Sequence, residues 1–178
     1  MGTKGIQRFH CSRCPHRLTY LKGEPRQEGY IVLQFGQQYC TAGKKYRMFK
    51  KKDPKTYPPN WCPKLKKPCE FRVYDFKDAN TWYLHTLLKR KSPPDGYQYA
   101  VRLSGTVNLT PSAFFSMAKR KGASELLGVM VKIGEIVEID DGLTSNCFYL
   151  TLSGVKYLPY WETARARKNE YACKNSDN

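Results

Sequence analysis

Five of the seven cysteines fall in the first seventy residues: Cys11, Cys14, Cys40, Cys62 and Cys69. The first two form a Cys-x-x-Cys turn, Cys11-Ser12-Arg13-Cys14, between His10 and His16. Two intervening residues let both sulfurs point at one tetrahedral metal ion, and two later thiolates complete such a site. The expected cofactor is a structural Zn²⁺ held by four of these five cysteines. Cys11, Cys14, Cys40 and Cys62 are the preferred set, Cys69 is the substitute, and His10 and His16 stand in reserve. A competing reading makes Cys40 and Cys69 small buried apolar residues. Disulfides are the other alternative, and the odd cysteine count and a reducing cytosol argue against them. The spacing to Cys40 and Cys62 is not that of a finger with a helix after its second ligand pair. It points to a zinc-ribbon-like module in which metal replaces a missing core.

A second set of residues suits phosphate and base contacts. Lys44, Lys45, Arg47, Lys50, Lys51, Lys52, Lys55, Lys64, Lys66 and Lys67 crowd into one stretch. Tyr46, Phe49, Tyr57 and Trp61 lie among them. Lysine and arginine neutralise phosphates and release counterions, and aromatic faces stack on unpaired bases. The basic residues with Tyr46 and Tyr57 are the expected nucleic-acid contacts. Phe49 and Trp61 serve equally well as the packing of a small metal-held core.

The net charge is +16 over 178 residues and is unevenly spread. Residues 1–77 hold 18 Lys and Arg against 5 Asp and Glu, a net +13, while residues 78–178 hold 13 against 10, a net +3. Such a field attracts a polyanion, and nucleic acid, DNA in preference to RNA, is the expected partner. No apolar run approaches the roughly 20 residues that span a bilayer, and the first residues lack the apolar core of a signal peptide. A cytoplasmic protein with no membrane partner is the expectation.

Enzyme chemistry finds few footholds. There are three histidines, and neither a zinc-deaminase signature, a phosphate-binding glycine loop nor a Gly-x-Ser-x-Gly elbow is present. The acidic run at 135–141, with Asp140 and Asp141, suits either a divalent cation or a solvated hairpin tip. The chain therefore reads as non-enzymatic.

The elements that must position these residues follow from pattern. Residues 29–35 and 70–74 read as strands. Asp78 caps a helix over 79–91, and Ser92-Pro93-Pro94-Asp95-Gly96 breaks the chain. A strand is expected at 97–103. Thr110-Pro111 opens a helix ending at Gly122, with a further helix over 124–132. Strands at 135–139 and 147–152 form a hairpin, and a last helix follows Trp161. The fold class is α+β: a basic zinc-ribbon-like module at 1–77, a mixed helix and strand domain at 78–172, and a tail at 173–178. The order of elements after 79 is that of a winged helix, although Gly128 and Val129-Met130-Val131 weaken the would-be recognition helix and the would-be wing is acidic. The apolar strands and aromatics after 97 offer a surface for a homodimer.

The start Cys11-Ser12-Arg13-Cys14-Pro15-His16 and the box Trp61-Cys62-Pro63-Lys64 resemble those of short phage and mobile-element proteins, over residues 10–75. Small proteins of that sort include anti-CRISPRs, inhibitors of RNA-guided nucleases. The resemblance implies a protein that blocks a nucleic-acid enzyme, with a nuclease complex as a further partner. A +16 chain cannot act by mimicking DNA, so such an inhibitor binds nucleic acid or an acidic patch on the nuclease.

Overall fold

Period-two alternation over Cys69-Glu70-Phe71-Arg72-Val73 commits this stretch to a strand with one apolar and one polar face. In the computed structural model, which describes residues 6–28, 31–86 and 95–174 (side chains to 168), that strand is the hub of a sheet. The chain divides into two compact units, one of residues 8–65 and the other of residues 66–178 with the N-terminal seven. The fold is α+β, as expected.

The larger unit is built on a five-stranded antiparallel sheet. Its strands are β6 (Cys69–Phe76), β7 (Tyr99–Val107), β8 (Ile136–Asp140), β9 (Ser145–Thr151) and β10 (Gly154–Leu158), in the order β10-β9-β8-β6-β7. One face carries Phe71, Val73, Val107, Val137, Ile139 and Phe148. Helices α2 (Pro111–Lys121) and α3 (Ala123–Leu127) cover it with Phe114, Ala118, Ala123 and Leu127. The opposite face carries Tyr74, Tyr99, Ile136 and Cys147, packed with Ala166 of α4 (Thr163–Lys174). Gly105 of β7 is required by this packing, because a Cβ there would lie 2.8 Å from the Phe71 ring.

Local signals explain the helices. The Thr110 hydroxyl accepts from the Ala113 N–H, Pro111 fills the first turn, and Gly122 ends α2 at φ +86° after Lys119, Arg120 and Lys121. Asp78 accepts from the Thr81 N–H at 2.8 Å and so caps α1 (Ala79–Thr86). The expected extension of that helix beyond 86, and Ser92-Pro93-Pro94, lie outside the described residues.

Two expectations change. The boundary drawn at 77 falls at 65/66 instead, because β6 pairs along its length with β7 and β8 and cannot leave their sheet. The winged-helix order is not the arrangement seen. The helix expected over 124–132 stops after Leu127, where Gly128 takes the left-handed conformation, and β8 and β9 are central strands rather than a projecting wing.

The smaller unit has little apolar core, made of Tyr20, Leu33 and Tyr39 with Ile31 and Tyr46 packed against it. A three-stranded antiparallel sheet joins β1 (Arg17–Thr19), β4 (Gln38–Cys40) and β5 (Arg47–Met48) in the order β1-β4-β5. A separate hairpin pairs β2 (Arg26–Glu28) with β3 (Ile31–Leu33). Among the described residues, no helix is long and apolar enough to cross a membrane.

Candidate metal centre and nucleic-acid interface

Four of the five cysteines belong to the smaller unit, on elements the backbone hydrogen bonds tie together. Cys11 opens a single 3-10 turn, and the Cys14 N–H returns to the Cys11 carbonyl at 3.1 Å. Cys14-Pro15-His16-Arg17 is a tight turn closed by the Arg17 N–H on the Cys14 carbonyl at 3.0 Å. Cys62-Pro63-Lys64-Leu65 repeats it, with the Leu65 N–H 3.2 Å from the Cys62 carbonyl. Proline pre-sets the first corner of both turns, which explains the shared Cys-Pro start. Cys40 ends β4 directly opposite Arg17, and the Thr41 N–H bonds the His16 carbonyl at 2.9 Å. Gly43, just beyond, lies against the Pro63 ring.

Cys11 and Cys40 are buried, and Cys14 and Cys62 are half-buried. Burial pushes the Cys11 thiol up; the Arg17 guanidinium pulls the other way, and Cys14 and Cys62 are close enough to raise it further. Among the described residues, no three His, Cys, Asp or Glu side chains are already gathered as a metal ion requires. The backbone thus brings these cysteines to one corner, while their sulfurs are not drawn onto a common point. Thiol donors in this number suit Zn²⁺, and Cys11, Cys14, Cys40 and Cys62 are the residues that would hold it.

Cys69 lies elsewhere. It begins β6 in the larger unit, is buried against Phe71 and Val107, and its thiol sits 3.7 Å from the Lys66 carbonyl. Burial raises its pKa, and Asp141 and Asp140 add to the effect. It is a buried apolar cysteine, as the competing reading anticipated; Cys40 is buried as well, but in the corner of Cys14 and His16.

The basic residues divide in the same way. The smaller unit holds 13 Lys and Arg against 3 Asp and Glu. Lys44, Lys45, Arg47, Lys50, Lys51, Lys52, Lys55 and Lys64 are all exposed there. Arg17, Cys40 and Arg47 stand in register across β1, β4 and β5 and therefore share one face. On that face Arg17 lies over the Phe49 ring at 4.6 Å, Phe49 meets Trp61 at 5.1 Å, and Arg47 lies over Trp61 at 4.5 Å. The Trp61 indole N–H donates to Asp53 at 3.1 Å. The Lys50 N–H also bonds Asp53, and this backbone bond leads in holding its carboxyl below the ordinary range. Phe49 and Trp61 are thus packing residues sandwiched by arginines. Tyr57 is exposed, with Arg8 over its ring at 5.4 Å and His10 at 5.5 Å. Tyr46 is half-buried against the small core.

Lys66 and Lys67 belong to the larger unit. The Lys66 ammonium bonds Glu70 at 2.9 Å and Asp140 at 3.1 Å, and these bonds raise its pKa, Glu70 foremost. Its side chain remains 40% exposed while paired with these two carboxylates. Lys67 is exposed.

The acidic run at 135–141 is not a projecting wing and divides in two: Asp140 and Asp141 stand at the hairpin turn between β8 and β9, whereas Glu135 and Glu138 are buried. Glu135 is fully buried and holds Arg102 through two bonds of 2.6 and 3.0 Å, while accepting the Lys132 N–H at 2.6 Å. Glu138 is also fully buried and receives the Tyr74 hydroxyl at 2.5 Å, the Ser145 hydroxyl, Arg167, and Arg72 at 3.4 Å. Burial works against the charge of Arg167, yet Tyr74 and Glu138 hold its pKa above the ordinary value. Asp141 accepts the Leu143 and Thr144 N–H groups of the hairpin turn. Arginines far away in sequence satisfy Glu135 and Glu138, a pairing that composition alone cannot reveal.

No family model, no curated protein and no solved structure matches this chain.

Proposed function

We propose that this is a non-enzymatic nucleic-acid-binding protein whose residues 8–65 form a zinc-ribbon-like module. In this reading Cys11, Cys14, Cys40 and Cys62 hold one Zn²⁺, which supplies the rigidity that the small cluster of Tyr20, Leu33 and Tyr39 cannot. The exposed Lys44, Lys45, Arg47, Lys50, Lys51, Lys52, Lys55 and Lys64 contact phosphates, with Tyr57 beside Arg8 as a stacking surface. The observation that carries the reading is the concentration of this exposed charge on the unit that also holds the four cysteines. Solubility alone does not require that concentration.

The test compares two triple variants of the full chain by equilibrium binding to duplex DNA over a range of salt. Lys50, Lys51 and Lys52 to Gln should reduce the slope of log K against log salt by about 2.7, three phosphate contacts at about 0.9 each. Lys119, Arg120 and Lys121 to Gln, in the larger unit, should leave the slope within about 0.5 of wild type. Equal effects would detach binding from residues 8–65. Binding that appears only when a nuclease complex is present would favour the inhibitor reading of the phage-like motifs.

A further inference from the structure

The three-stranded sheet of the smaller unit has two distinct ends. Cys40, Arg17 and Arg47 mark one end. At the other, β1 runs on into Tyr20 and Leu21, β4 is entered from the turn Gln34–Gln37, and β5 leaves into the lysine turn. The Tyr20 N–H bonds the Gln37 carbonyl at 3.0 Å and the Gly36 N–H bonds the Tyr20 carbonyl at 2.7 Å, so the backbone following Tyr20 at Leu21 lies opposite the backbone preceding Gly36 at Phe35. The Phe49 N–H bonds the Gln38 carbonyl at 2.8 Å, and Lys50, Lys51 and Lys52 follow at once. The Asp53 N–H on the Lys50 carbonyl at 3.0 Å folds them into a turn at this same end.

Leu21 is 72% exposed and Phe35 63% exposed, although the backbone beneath them is firmly braced. The Gln37 N–H closes the turn on the Gln34 carbonyl at 3.1 Å, with Gly36 at φ +74° supplying the left-handed corner. The Tyr39 hydroxyl accepts the Gln34 N–H at 2.9 Å and donates to the Val32 carbonyl at 3.4 Å, and the Tyr20 hydroxyl donates to the Glu24 carbonyl at 2.6 Å. Both tyrosines are buried. Scattered apolar surface residues need no explanation, but two large ones at the braced sheet end from which Lys22 and the Lys50–Lys52 turn also leave do.

We propose that Leu21 and Phe35 form an apolar wedge that enters between base pairs of a nucleic-acid duplex while Lys22, Lys50, Lys51 and Lys52 hold the flanking phosphates. The inference rests on the nucleic-acid reading above and names its substrate as duplex and its mode as kinking. Phenylalanine and leucine wedges unstack a base step and bend the duplex by roughly 20–90°. An anionic membrane would also attract an apolar tip with lysines. Insertion there scales with the apolar area buried, and two side chains supply little, whereas a single base step is filled by them.

The test uses the full chain and a 20-bp duplex carrying a donor and an acceptor dye at its ends. Wild type should bind and raise energy transfer between the ends. Leu21→Ala/Phe35→Ala should bind about 10- to 100-fold more weakly, with an unchanged salt slope and no rise in transfer. Phe35→Trp, which keeps a wedge, should restore bending. Bending by the double alanine variant equal to wild type, or wild-type binding without bending, would overturn the proposal. Failure of wild type to bind duplex at any salt would instead remove the parent reading and this one with it. Phosphatidylserine vesicles form the remaining arm: capture that depends on Phe35, without any effect of Phe35 on duplex binding, would make the tip a membrane device and end the proposal.

Discussion

Replacing Cys62 and Cys69 separately by serine sets burial and metal ligation against each other. Cys69 is 6% exposed, in an apolar layer with Phe71, Val73 and Val107. A hydroxyl there without a full partner costs about 1–3 kcal/mol, and the Lys66 carbonyl 3.7 Å from the sulfur favours the low end. Cys62 is half-buried on a turn, where serine should change stability by no more than about 0.5 kcal/mol if packing is all that matters. Burial alone therefore ranks Cys69→Ser as the more damaging change. A metal at Cys11, Cys14, Cys40 and Cys62 reverses the order, because structural zinc contributes on the order of 10–16 kcal/mol in small zinc peptides and one thiolate carries a substantial part of it. Zinc per chain by elemental mass spectrometry, with amide exchange resolved over residues 8–65 and 66–168, reads both effects. Cys62→Ser should lose the metal and the protection of 8–65, while Cys69→Ser should keep both and lose a little protection in the larger unit. A metal-free wild type, or zinc lost in Cys69→Ser and kept in Cys62→Ser, would refute the reasoning.

Two further outcomes follow from the charge networks. Glu138→Gln leaves Arg167 and Arg72 facing a neutral group in a buried setting; both arginines are partly exposed, so the cost is about 2–4 kcal/mol rather than the full loss of a buried pair. Thermal melting that shifts by no more than wild-type scatter would show the cluster to be inert. The folded-state pKa of Asp53 lies below its ordinary value, so its stabilising contacts to the Lys50 N–H and the Trp61 indole are complete above about pH 4 and are lost as pH falls further through the folded value. Tryptophan emission should change in that acid window and the Asp53→Asn variant should lack the transition; a transition of equal size in the variant would assign it elsewhere.

Where a local signal decides the structure, the sequence is readable. Thr110-Pro111 and Gly122 bracket α2 by capping chemistry confined to a few residues, and the alternation in 70–74 identifies β6 because one face of it is buried. The helix over 124–132 is shorter than expected because Gly128 breaks it, and the β-branched residues after Gly128 already weighed against its length. The strand β10 is not among the expected elements; its local signal is Ser153-Gly154, with Gly154 at φ +112° in the hairpin. The candidate site was legible in residue type but not in partition. Nothing local separates Cys69 from Cys62, or Lys66 from Lys64, since their difference arises from β6 pairing with β7 and with β8, the latter more than sixty residues away. The burial of Glu135 and Glu138 has no local signal for the same reason: their arginine partners come from β7, β6 and α4.

The central claim is that residues 8–65 present their charge to nucleic acid. The most direct measurement is the binding constant of the full wild-type chain for a 20-bp duplex between about 50 and 300 mM salt. With five to seven of the eight exposed lysines and arginines at 44–64 on phosphates, log K should fall against log salt with a slope of roughly −4.5 to −6. A slope shallower than about −1, or no binding at the lowest salt, would contradict it.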